Sequence, residues 1–69
     1  METDVINVKN MGSQEDAEKI LAALEHVWGL TKAEVSLSKK EAIVTFDERM
    51  ASSQDFIQAI VETGFDISN

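Results

Sequence analysis

The chain contains no cysteine, so it can form no disulfide and no zinc site built on thiolates. At 69 residues it buries only about 60% of its unfolded surface, and the apolar core alone must hold it. It has no proline, low-complexity run or linker, and residues 1–69 read as one domain. Basic residues are also scarce. Six stand against 13 acidic ones, for a net charge of −7. Nucleic acid binding needs a basic face, and none is visible. An anionic membrane surface is disfavoured on the same ground. No stretch approaches the roughly 20 apolar residues of a membrane span. The opening Met1-Glu2-Thr3-Asp4 is acidic and does not read as a signal peptide. The expectation is a soluble, cytoplasmic protein. With one histidine, no glycine-rich phosphate loop and no nucleophile elbow, no enzyme is expected either.

What is present is periodic. Residues 4–9 read as a strand with Ile6 and Val8 on one face. From Ser13 the period becomes helical, and Ala17, Ile20, Leu21, Leu24, Val27 and Trp28 form one apolar stripe that Gly29 ends. Glu15 and Lys19 are spaced as an i,i+4 ion pair on the other side. Two strands follow, with Ala33, Val35 and Leu37 inward on one and Ala42, Val44 and Phe46 inward on the other. Ser38-Lys39-Lys40-Glu41 is their hairpin turn. Phe56, Ile57, Ile60 and Val61 are the inner stripe of a second helix, Gly64 closes it, and Phe65-Asp66-Ile67 reads as a last short strand. The order β-α-β-β-α-β predicts an α+β, ferredoxin-like fold, with two helices on one face of a four-stranded antiparallel sheet. Each half carries Ser-x-x-Asp before its helix, at Ser13/Asp16 and Ser52/Asp55.

Several strings, in order and nearly without gaps, resemble the heavy-metal-associated domain family. That family includes small copper chaperones, the periplasmic mercury-binding protein and the N-terminal domains of copper-transporting ATPases. Val8-Lys9-Asn10-Met11 resembles the strand end before the family's Gly-Met-x-Cys-x-x-Cys loop. Gly29-Leu30 with Ala33-Glu34-Val35-Ser36-Leu37, then Ala42-Ile43-Val44-Thr45-Phe46-Asp47, resemble its second and third strands. Ala59-Ile60 through Gly64-Phe65-Asp66 resembles its closing helix and Gly-aromatic pair. The resemblance covers nearly the whole chain and implies a single such domain over residues 1–69, of the metal transport and detoxification lineage.

The departure falls on the loop. Met11 takes the motif's Met, Asn10 stands for its Gly, and Ser13-Gln14-Glu15-Asp16 replaces Cys-x-x-Cys. Soft ions prefer sulfur, whereas hydroxyl and carboxylate are hard donors, so Ser13 and Asp16 do not inherit a Cu(I) site. They read instead as a helix cap, with Ser13 accepting a first-turn N–H and Glu15 and Asp16 at the positive end of the helix dipole. No high-affinity metal is expected. The resemblance implies copper or another heavy metal as cofactor, and the missing thiols count against it. A low-affinity hard-cation site at Glu15 and Asp16 is a weaker alternative, short of the oxygen ligands calcium takes. Another is a protein-interaction face of Gly12, Ser13, Glu15, Asp16 and Phe65. Its partner would have a basic docking face, such as a metal-transporting ATPase domain. Met11 is expected in the core, Phe65 beneath the loop, His26 on the surface near a helix end and Trp28 at the core edge. Val5 and Ile43 should meet on the outer face of the sheet.

Overall fold

The computed structural model of the chain describes residues 1–68. Its elements are β1 (Glu2–Asn7), α1 (Gln14–Glu25), β2 (Leu30–Ser36), β3 (Glu41–Phe46) and α2 (Ser53–Glu62). The strands form an antiparallel sheet in the order β1-β3-β2. Alternation sets the register. Ile6 faces Ala42 across β1 and β3, and Ala33 faces Val44 across β2 and β3. The inward residues Ile6, Val8, Ala42, Val44 and Phe46 share one core with Ala17, Ile20 and Leu24 of α1 and Phe56 and Ile60 of α2. Both helices therefore cover the same side of the sheet. The Phe46 and Phe56 rings lie 5.0 Å apart at 44°, a tilted pair worth roughly 0.5–1.5 kcal/mol beyond the area it buries. On the opposite side, Val5 and Ile43 are direct cross-strand partners. The Ser53 hydroxyl donates to the Asp4 carboxylate and ties the start of α2 to β1.

Three expectations need correction. The fourth strand does not form as a strand. Residues 65–67 make one bridge, Val8 to Ile67, flanked by Lys9 N–H to Asp66 O at 2.8 Å and Ser68 N–H to Asn7 O at 3.0 Å. The ladder goes no further because the Asp66 N–H donates to the side-chain Oδ1 of Asn10 at 2.8 Å, not to a backbone carbonyl. The segment still lies along the free edge of β1, as a ferredoxin-like order requires. Second, two residues expected to pack inward do not: Val61, at the margin of the α2 stripe, is 48% exposed, and Trp28 is not at the core edge but 77% exposed. α1 stops at Glu25 with His26 as its C-cap, so the helical period that would turn Trp28 inward has ended. Third, Glu15 and Lys19 do not pair. Among the described residues the ion pairs are the N-terminal ammonium with Glu48, Lys32 with Glu34, and Arg49 with Asp47. Exposed i,i+4 pairs gain too little to fix two long side chains.

Candidate functional site

The loop between β1 and α1 is anchored at its near end. Lys9 and Asn10 hold Asp66 as described, and Met11 then drops into the core with no exposed surface. Fully burying such a side chain is worth roughly 1.5–3 kcal/mol, so Met11 nails the loop down from below. Past it the chain is open to solvent. Gly12, Ser13, Gln14 and Glu15 are exposed and Asp16 is half-buried.

Ser13 adopts the extended backbone of an N-cap, with φ −148° and ψ 164°. Its Oγ accepts the Asp16 N–H at 3.2 Å, and its carbonyl accepts the Ala17 N–H at 3.1 Å. The Asp16 carboxylate reaches back past the cap residue to accept the Gly12 N–H at 3.0 Å. Of the two side chains that replace the motif's cysteines, Ser13 thus meets a free donor of the helix start and Asp16 meets a donor of the loop before it. A negative group there also meets the positive end of the α1 dipole.

These contacts limit the loop's chemistry. One Asp16 oxygen and the Ser13 oxygen are already acceptors, and both are hard donors. Among the described residues no three His, Cys, Asp or Glu side chains gather as a metal-holding group. The hard-cation expectation at Glu15 and Asp16 therefore finds no ligand set. Phe65 is 8% exposed and packs in the core, so as a candidate for a partner face it supports the loop from beneath and presents almost no surface. Its ring is drawn inward because the turn at Gly64, φ +106°, lets the Phe65 N–H return to Ile60 O.

Comparison with known proteins places this geometry. The heavy-metal-associated domain model matches residues 5–66. The chain belongs to the heavy-metal-associated domain family. It is 35% identical over 63 residues to the copper chaperone CopZ of Staphylococcus haemolyticus, covering 91% of this chain and 93% of that one. Among solved structures it resembles a copper-binding domain from HMA7, a P-type ATPase, with 30% identity, TM-score 0.92 and coverage of 100% and 96%. It also resembles oxidised MerP from Ralstonia metallidurans CH34, with 27% identity, TM-score 0.92 and coverage of 97% and 93%. The chain thus shares the fold of these relatives, with two helices on a three-stranded antiparallel sheet, and has no cysteine.

Sequence reasoning missed Asn10. It stood only as a departure from the motif, yet its side chain links the loop to the C-terminal segment. An Asn after a strand and before a buried Met is too common locally to announce a contact 56 residues away. Asp47 stood there only as the end of the third-strand string. In fact Asp47 accepts the backbone N–H, Nε and Nη2 of Arg49 at 3.0, 3.0 and 2.9 Å. Those hydrogen bonds from Arg49 hold its carboxyl down at about 2, below the ordinary 3.8.

Proposed function

We propose that this heavy-metal-associated domain acts in metal transport by docking, without taking a soft metal at its loop and without catalysis, in the cytoplasm. The observation that carries this is the use of Ser13 and Asp16. Both positions that the family motif gives to thiolates are engaged at the start of α1: Ser13 Oγ caps the helix by accepting the Asp16 N–H at 3.2 Å, and the Asp16 carboxylate closes the loop before it by accepting the Gly12 N–H at 3.0 Å. A relative such as CopZ supports the transport lineage. Cu(I) titration under reducing conditions tests the proposal. Amide shifts across residues 11–16 should stay below those of a one-to-one complex, and a tight complex centred there would overturn it.

The face around the loop is the docking surface on this reading, with Gly12, Ser13, Glu15 and Glu18 exposed above the buried Met11 and Phe65. Its acidic residues and the net charge of −7 fit a basic partner, such as a domain of a metal-transporting ATPase. Reversing Glu15 and Glu18 to Lys leaves the Asp16 cap intact. Association with such a domain should slow by roughly tenfold at low salt, and unchanged binding would count against this face.

A further inference from the structure

The soft and borderline donors that the loop lacks occur at the opposite end of the molecule. Two of the three methionines, the single histidine and the single tryptophan line one cleft of about 450 Å³. They come from separate parts of the chain. Met1 precedes β1, His26 caps α1, Trp28 sits in the turn into β2, and Met50 lies in the loop before α2.

Local structure holds them there. The Thr31 hydroxyl donates to Met1 Sδ at 3.3 Å, fixing that thioether over the start of β2. Gly29, with φ +96°, brings the turn against the α2 loop, where a Cβ at position 29 would lie 3.0 Å from Met50 Cβ. Met50 N–H and Ala51 N–H both donate to Asp47 O, so the loop carrying Met50 is itself a closed turn. Trp28 at 77% exposure and Met50 at 48% face solvent, not the core. Thioethers and imidazole are ligands that Cu(I)-like ions favour, and an indole face attracts a desolvated cation. Glu25 lines the same cleft and, with the net charge of −7, favours a cation there.

We propose that Met1, His26 and Met50, beside the indole of Trp28, bind a soft monovalent d10 cation, Ag(I) or Cu(I), at the pole opposite the loop. The two thioethers and the imidazole are the ligands, and the indole covers one side of the ion. The site is separate from residues 11–16 and does not depend on how they act.

The test titrates the intact chain with silver nitrate in chloride-free buffer, following Trp28 emission, methionine methyl resonances and amide shifts. The expected result is one saturable equivalent that changes Trp28 emission and moves the Met1 and Met50 methyls, while the buried Met11 methyl and residues 12–16 stay still. Met50→Leu and His26→Gln should each weaken binding by roughly tenfold or more. Their melting without silver should match the parent chain, which separates lost ligation from lost folding. A non-saturating response, or parental affinity in both variants, overturns the site. Failure here leaves the loop proposal standing, because only shifts across residues 11–16 bear on that, and the same spectra record them.

Discussion

The two helix starts share the Ser-x-x-Asp pattern and close differently. At α2, the Asp55 carboxylate accepts the N–H of the cap residue Ser52 at 2.9 Å, a tight reciprocal turn. At α1, Asp16 reaches one residue further back, to Gly12 N–H at 3.0 Å. The loop before α2 is held by Asp47, whose carbonyl and carboxylate together gather Arg49, Met50 and Ala51. The loop before α1 turns early, at Lys9 and Asn10, ahead of Met11. It is held from below by Met11 and from the side by Asn10. One helix start is a self-contained turn, and the other is an open loop pinned to the core. An open, pinned loop presents backbone to solvent in a fixed place, which suits a docking surface.

The largest expected difference between the two loops lies in their methionines. Met11→Ala should cost about 2–4 kcal/mol, because it empties a fully buried position. Met50→Ala should change stability by less than about 0.5 kcal/mol, since Met50 is half exposed. Urea denaturation of both variants checks this, and equal losses would break the contrast between a pinned and a self-contained loop.

The caps come next. Asp16→Ala and Asp55→Ala should each cost roughly 1 kcal/mol. The sites share no partner, so the double variant should show the sum within about 0.5 kcal/mol. The two differ in what else moves. Amide exchange at Gly12 should quicken in Asp16→Ala alone, and at Ser52 in Asp55→Ala alone. An Asp16→Ala variant with Gly12 as protected as before would mean that the longer reach is not the contact closing the loop.

The smallest effect is electrostatic. Asp47 has its carboxyl lowered from 3.8 to about 2 by Arg49 in the folded state. A depressed folded value stabilises above the unfolded one and is lost on acidification. The contribution is therefore complete above about pH 4 and fades as pH falls through about 2. Asp47→Asn should flatten the acid limb of the melting temperature between these limits and leave the α1 loop untouched. An identical acid limb would show that Arg49 does not stabilise the loop before α2.

Element order was readable from the chain because period and punctuation are local. Val8, Ile20 and Phe56 repeat at strand or helix spacing whatever surrounds them, and Ser13 with Asp16 announces a cap within four residues. The missing thiols were equally plain. The contacts that tie the loop down were not. Asn10 finds Asp66 only once β1 and the C-terminal segment lie side by side, and nothing within a few residues of either encodes that meeting.

The sequence by itself determined the α+β order, the core stripes, the capped start of α1 and the loss of the soft-metal ligands at residues 13 and 16. All of these follow from interactions between near neighbours or from residue chemistry. Only the tertiary structure decided that the last strand shrinks to a single bridge, that Trp28 turns outward, and that Met1, His26, Trp28 and Met50 share a cleft. Those outcomes depend on where helix ends and sheet edges fall in space. Distant residues meet there because packing brings the elements together, not because their spacing says so.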